Sequence, residues 1–549
     1  MKSDIEIARE TQLQNIFSIA EKAGLTKEDI TPCGDFKAKV SIKALHRMQS
    51  QADGKLILVT TMNPTPEGEG KTTVTIGLAQ ALAKLGKKTM LGIREPSLGP
   101  IMGMKGGATG GGYAQVAPME DINLHFTGDM HAITSAHNLL ASLLDNHLHH
   151  GDEFHIDQRY IVWPRVLDIS DRSLRNIVVG LGGPKHGVPH ENSFAITPAS
   201  EIMAILCLAQ DFHDLKQRLS RIIVAYTHDD KPIYAKDLKA VGAMSVLLKD
   251  AMNPNLVQTL EGVPAFIHGG PFANIAHGTS SLISTKMGLK LADYFVTEAG
   301  FGSELGAEKF FNIVSRIGKI HPDAVVLLAS IRALKRHGQG SDKESVRKGL
   351  VNLEKHLENI QLFGVPVIIG LNHFDDDRDE EIEIVESFCQ RKNVPFAVVD
   401  VWREGSEGGI ELAGKLVSLI QQTPSRFKPL YELDLPVKEK IEIIAKSIYG
   451  ASRIVYSVEA EQDLKLCKKH GLDHLPICVA KTQYSLSDDS SLLGKPTDFK
   501  ITVRNIRFSS GAGFLVPMTG KITTMPGLPK TPMSDFIDLD ESGNITGLY

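Results

Sequence analysis

Between residues 55 and 93 the chain runs through a strand, a glycine-bearing loop, a helix and a second strand, and this succession narrows its fold more than any other feature. Lys55-Leu-Ile-Leu-Val-Thr60 is a continuous β-rich run of the kind found in a strand buried on both faces. The loop Thr65-Pro66-Glu67-Gly68-Glu69-Gly70-Lys71-Thr72-Thr73 follows and leads into a helix predicted from Lys71 to about Leu85, closed by Gly86. Lys88–Ile93 reads as the next strand, completing a βαβ unit. In such a unit glycines let backbone N–H groups converge on phosphate oxygens, and the helix N-terminus adds partial positive charge. Lys71 is then placed to reach the β- and γ-phosphates of a nucleotide, and the Thr72 hydroxyl to hold Mg²⁺. The pattern G-x-x-x-x-G-K-[ST] is complete except at its first position, where Thr65 replaces glycine.

Further apolar runs, Ile222–Thr227, Ala292–Thr297, Ala324–Ala329 and Val365–Leu371, alternate with helical patterns and predict an α/β fold with a mostly parallel sheet. Ile5–Ala23 reads as one amphipathic helix stopped by Gly24, and Phe499–Val503 alternates as a strand. At 549 residues the chain exceeds a single core. Changes of texture near 360 and 455 divide it into a P-loop NTPase-like nucleotide-binding domain (1–360), a second α/β domain (361–455) and a small C-terminal α+β domain (456–549). Sixty basic against 65 acidic residues give no electrostatic case for nucleic acid. Five cysteines without a CxxC pair suit a reducing compartment. No apolar run approaches the ~18 residues of a membrane span, and a cytoplasmic protein without a membrane partner is expected.

Doubly wound sheets bind ligands beyond the carboxyl ends of their strands. Arg94, directly after the second strand, is therefore placed beside the phosphates, where a guanidinium can hold a carboxylate or acyl phosphate; an ion pair with Glu95 or another acid is the alternative. Six of the ten residues from Gly103 to Gly112 are glycine, and the folded-looking segment Val116–Asp129 that follows favours a close-approach loop near Arg94 over a linker. Glu298, after another strand, is a candidate for facing a metal or acting as a base, or equally for capping and packing. The segment His268–Gly278 is a candidate donor of backbone N–H groups to an anion. Asn372-His-Phe-Asp375 departs from the guanine-reading Asn-Lys-x-Asp at His373, which favours ATP over GTP. The histidines crowded between His125 and His155 lack HExxH spacing and read as core or solvated residues.

Taken together, Thr65–Thr73, Arg94-Glu-Pro-Ser-Leu-Gly-Pro100, Met104-Lys-Gly-Gly-Ala-Thr-Gly-Gly-Gly-Tyr113, Glu120–Asp129, His268–Gly278, Leu305-Gly-Ala-Glu-Lys-Phe310, Leu328–Gln339 and Met525–Lys530 resemble the formate–tetrahydrofolate ligase family along nearly the whole chain, in its monofunctional, mostly bacterial form. Ala108-Thr109 stands where that family has Ala-Ala, and Gln339 ends a signature that usually closes in Gly-Gly. The resemblance implies that ATP, formate and tetrahydrofolate become 10-formyltetrahydrofolate, ADP and phosphate through formyl phosphate. It implies Lys71 and Arg94 as catalytic residues, Thr65–Thr73 as the nucleotide loop, and Arg94, Glu95, Phe301, Phe374 and Trp402 around formyl phosphate and folate, with 361–455 contributing to the folate pocket. Magnesium would arrive with ATP at Thr72. A monovalent cation (potassium or ammonium) and a homotetramer are also implied.

Overall fold

Twelve strands form the largest sheet of the computed structural model, which describes residues 2–548. In chain order they are β1 (Ile30–Pro32), β2 (Ala38–Val40), β3 (Lys55–Thr61), β4 (Thr89–Ile93), β5 (Gly110–Gly111), β6 (Ala114–Ala117), β7 (Asn255–Thr259), β8 (Pro264–Ile267), β9 (Tyr294–Gly302), β10 (Ala324–Ala329), β11 (Val367–Asn372) and β12 (Phe396–Val399). Across the sheet they run β1-β2-β7-β8-β4-β9-β3-β10-β11-β12, with β6 joining at β7 and β5 pairing with β6. Every pairing from β8 through to β12 is parallel. The pairings of β1, β2, β5, β6 and β7 are antiparallel. The α/β architecture with a mostly parallel sheet is therefore as the sequence predicts.

The central runs are apolar throughout because both sheet faces are covered. In β3, Leu56 and Leu58 enter one core while Ile57 and Val59 enter another; in β10, Val325 and Leu327 go to the first and Val326 and Leu328 to the second. This is the period-two alternation of a strand, with neither face left to solvent. Helix α1 (Lys71–Lys84) is buried from Val74 to Leu82 in the second core, packed on helix Ile410–Gln422. Helices α2 (Ile331–His337) and α3 (Lys343–Gln361) pack together over the first. Past residue 360 the sheet continues in register, with Val326 opposite Ile368 and Leu371 opposite Val398. The parallel strands all deliver their C-terminal loops to one edge.

Two predicted elements differ. The helix expected over Ile5–Ala23 is two helices, Asp4–Glu10 and Ile16–Ala23, because the Asn15 side chain accepts the Phe17 N–H at 3.0 Å and starts a new helix. The run Ile222–Thr227 lies outside the large sheet; Ile223–Thr227 pairs antiparallel with Pro232–Tyr234 and Ile156–Ile161. A tight turn explains it: Thr227 N–H bonds Lys231 O at 2.9 Å, with Asp230 at φ +57°, and so short a connection allows only a hairpin. The strand predicted at Phe499–Val503 is Lys500–Ser509, parallel to Arg453–Tyr456 and antiparallel to Phe514–Thr519. Among the described residues no helix is long and apolar enough to cross a membrane.

Helix α1 meets Val401 through Gly77, where a Cβ would lie 2.3 Å from the Val401 Cβ. Gly77→Val is expected to lower stability by about 1–3 kcal/mol through overpacking. Chemical denaturation of the purified variant checks this; an unchanged midpoint would show that the two elements separate freely.

Candidate active site

The loop between β3 and α1 is built from its own carboxylate. Glu69 turns inward and accepts the Thr65 N–H at 2.6 Å, while Pro66 and Glu67 stay exposed at the tip. The Ser330 hydroxyl, directly after β10, donates to the other Glu69 oxygen. Arg332 donates to Gly68 O, and Asn372 Nδ2 donates to Glu69 O at 3.0 Å. Gly68 and Gly70 have φ of +84° and +64°, a region that disfavours side chains. At Gly70 a Cβ would also stand 2.5 Å from Asn372 Nδ2. No side chain caps α1, so its first N–H groups are left for another acceptor.

Lys71 and Thr72, at the start of α1, meet Arg94 from the end of β4 on a single carboxylate, Glu298 of β9. Lys71 Nζ forms an ion pair with Glu298 Oε2, and Thr72 Oγ1 donates to the same oxygen at 2.9 Å. Arg94 reaches Glu298 Oε1 at 3.5 Å and donates to Pro271 O at 3.2 Å. Burial opposes the Glu298 charge, but Lys71, Arg94 and these hydrogen bonds outweigh it and hold the carboxyl at about 2. Burial draws the Lys71 ammonium down to about 8 against the pull of Glu298. Both members of the pair are thus charged at neutral pH. The Arg94 guanidinium lies across the backbone of Gly300, 3.1 and 3.2 Å from where a Cβ would be.

The His268–Gly278 loop lies beside Arg94 and Glu95: Pro271 O receives Arg94, Gly269 O receives the Glu95 N–H at 2.8 Å, and the Gly270 N–H is taken by Met203 Sδ. Glu95 is buried with Oε2 unpartnered. Burial raises its carboxyl well above the usual range, Asp129 and Asp168 add to this, and Lys39 opposes it. The glycine cluster divides in two. The helical turn Ile101–Lys105 carries Lys105, whose charge acts on Arg94 and Glu298. Gly111 and Gly112 instead press against Trp402: Tyr113 N–H bonds Trp402 O at 2.9 Å, and a Cβ on Gly112 would lie 1.8 Å from that oxygen. Asp4 ties the same corner by accepting the Gly112 N–H at 2.8 Å.

The three aromatic residues leave the same sheet edge without touching. Phe374 and Trp402 follow neighbouring strands β11 and β12, whereas Phe301 leaves β9, three strand spacings or about 14 Å away. Phe301 sits at φ +59°, a left-handed conformation that is uncommon for a bulky residue and concentrates at functional corners. Phe374 is covered by the Arg332 guanidinium at 3.9 Å from the ring centroid. Lys105, Ser330 and Arg332 escaped sequence reasoning as site residues. Ser330 and Arg332 carried a signal nonetheless, since they follow β10 at the edge where ligands bind.

For magnesium, the hydroxyl of Thr72 and the carboxylate of Glu298 supply hard oxygen donors 2.9 Å apart, a set that fits an ion held mainly by substrate phosphates. Among the described residues no group of three His, Cys, Asp or Glu could hold a metal ion by itself.

A mostly parallel α/β sheet with a lysine, an arginine and an uncapped helix N-terminus on its carboxyl edge defines a site for an anionic substrate. Over residues 2–549 the chain matches the family model described as formate–tetrahydrofolate ligase, and it belongs to that family. It is accordingly an ATP-dependent ligase that joins formate to tetrahydrofolate, giving 10-formyltetrahydrofolate.

A Cβ at Gly300 would lie 2.5 Å from the Ala273 Cβ and 3.1 and 3.2 Å from the Arg94 guanidinium, so Gly300→Ala is expected to displace the Ala273 loop together with Arg94 and cut turnover by ~100-fold. Steady-state ligase kinetics check this, with thermal melting run alongside; full activity would mean that Arg94 tolerates displacement.

Proposed function

We propose that the ligase reaction runs through formyl phosphate at the Lys71–Glu298–Arg94 cluster. The observation that carries this is the convergence of two cations and a hydroxyl from three separate elements on one buried carboxylate. Thr65–Thr73 would wrap the nucleotide phosphates, with Lys71 on the β- and γ-phosphates. Thr72 and Glu298 would hold magnesium with the nucleotide, and the ion supplies charge neutralisation and in-line alignment of the γ-phosphoryl group.

A formate oxygen attacks the γ-phosphorus and ADP leaves. This replaces an oxide leaving group, which is poor, with phosphate, which is good. Arg94 turns from Glu298 to the phosphoryl oxygens of formyl phosphate and stabilises their charge. N10 of tetrahydrofolate then attacks the formyl carbon, the C–O bond to phosphate breaks, and the N10 proton leaves with the departing phosphate. Phe374 and Trp402 offer flat surfaces for the pterin ring, and family likeness adds Phe301, on the side nearer Arg94, and Glu95 to the substrate-binding residues. To the same reading belong ATP over GTP, a monovalent cation, a homotetramer, a cytoplasmic setting and the division at about 360 and 455, each carried by family likeness or sequence texture rather than by the site.

The chemistry is tested with ¹⁸O-labelled formate: one label per turnover is expected in inorganic phosphate. Unlabelled phosphate, or ADP release that ignores formate or tetrahydrofolate, would overturn the mechanism. Lys71→Ala and Arg94→Ala are each expected to lower kcat by at least ~100-fold.

The pH dependence follows from Lys71. Its charge is complete well below about 8 and is lost as pH rises through that value. The kcat/KM for ATP, which reports free-enzyme ionisations, is expected to fall above that point. In Lys71→Arg the alkaline limb is expected to vanish, because guanidinium stays charged. A limb retained in that variant would assign it to another group.

A further inference from the structure

Arg332 stands between two surfaces that the mechanism treats as separate. Its guanidinium donates to Gly68 O on the phosphate loop and lies over Phe374, 3.9 Å from the ring centroid. Its Nε is 3.6 Å from Glu69 Oε2. Two residues before Phe374, Asn372 at the end of β11 donates to Glu69 O at 3.0 Å, so this end of the strand is tied to the loop directly through Asn372 and indirectly through Arg332 on Phe374.

The direction of these bonds matters. In a trans peptide the C=O and the following N–H point opposite ways. Holding Gly68 O toward Arg332 turns the Glu69 N–H away from it, and holding Glu69 O toward Asn372 does the same for the Gly70 N–H. Arg332 and Asn372 therefore set the direction of two successive loop N–H groups. An anion accepting those N–H groups polarises the same peptides and strengthens the carbonyl as an acceptor for the guanidinium. A guanidinium held more firmly at Gly68 is also held more firmly over Phe374, leaving the opposite ring face as an ordered platform.

We propose that Arg332 couples the two substrate sites, so that nucleotide on the phosphate loop and the pterin ring on Phe374 each strengthen the binding of the other. The proposal rests on the assignment of those two surfaces made above. Arg332 acts as a positioning residue: it works through the loop peptides and through the Phe374 ring.

The test is calorimetric and anaerobic. The affinity of Mg-ADP is measured with and without saturating tetrahydrofolate, in the intact enzyme and in Arg332→Lys and Arg332→Met. Lysine keeps the charge but loses the fork and the flat face. In the intact enzyme tetrahydrofolate is expected to tighten ADP by at least ~5-fold, with the same factor in the reverse titration, since coupling is reciprocal. In both variants that factor is expected to fall below ~2-fold. A purely structural role for Arg332 weakens ADP equally with and without tetrahydrofolate, leaving the factor intact; that result overturns the proposal, as does an intact enzyme with no coupling. Failure of the intact enzyme to bind either ligand would instead overturn the assignment of the loop or of Phe374. Thermal melts with and without ADP confirm that the variants remain folded.

Discussion

The ion pair of Lys71 with Glu298 is the interaction on which the arrangement of the site depends. Both side chains are nearly excluded from water, at 11% and 3% exposure. Removing two charges from water costs several kcal/mol per ion, and attraction restores it only with good geometry and further hydrogen bonds. Thr72 and Arg94 supply those bonds, so the carboxylate has three partners rather than one. Such a cluster is a poor source of stability compared with apolar packing. What it provides is two cations kept charged and aimed at one point, with their water already removed. In the mechanism proposed above, these donors exchange Glu298 for phosphoryl oxygens in a site already shielded from water, where electrostatic stabilisation is large.

The sheet makes this convergence possible. β3, β4 and β9 lie side by side in the order β4-β9-β3, so Arg94, Glu298 and the loop carrying Lys71 emerge within two strand spacings of one another. The next strands extend the same edge: β10 delivers Ser330 and Arg332, β11 delivers Asn372 and Phe374, and β12 leads to Trp402. The strand order thus places the charged cluster at the centre of the edge and the aromatic residues Phe374 and Trp402 toward β12. Glycine permits the close contacts this needs. At Gly70 the room goes to Asn372, at Gly112 to Trp402 and at Gly300 to Ala273 and Arg94.

Much of this was legible because it depends on local pattern. A run that is apolar on both faces, a glycine loop and a capless helix start are visible in a few consecutive residues, and they placed Lys71, Thr72 and Arg94 in one crevice. Glu298 was visible as a strand-end acid, yet its choice among metal, base and cap depended on which strand lay beside β3, a long-range property. The break at Asn15 was missed because the apolar spacing continues through it. The hairpin at Thr227–Lys231 was missed because an apolar run looks alike in parallel and antiparallel sheets. Arg332 illustrates the remaining limit. Its stretch of chain carried a family motif, but its two contacts, with Gly68 and Phe374, lie 264 and 42 residues away along the chain (332 − 68 and 374 − 332).

The strained corner at Phe301 is held in place by groups that never face a substrate. Just past it, Glu304 is fully buried, accepts from Asn63 Nδ2 at 2.7 Å and lies 3.6 Å from both Lys481 and His356. Asn63 itself stands at the start of the loop between β3 and α1. Its N–H bonds His356 Nε2 at 3.0 Å, and its carbonyl contacts His337 Nε2 at 3.0 Å. One buried polar network therefore fixes the start of the loop after β3 and the end of β9 together. A left-handed phenylalanine persists only where its surroundings over-determine it, and the buried hydrogen bonds of this network are strengthened by the low dielectric around them, although Glu304 Oε2 has no hydrogen-bond partner. The same rigidity that keeps Phe301 strained thus also holds the loop carrying Lys71 in step with the strand carrying Glu298, so the two sides of the ion pair cannot drift apart independently.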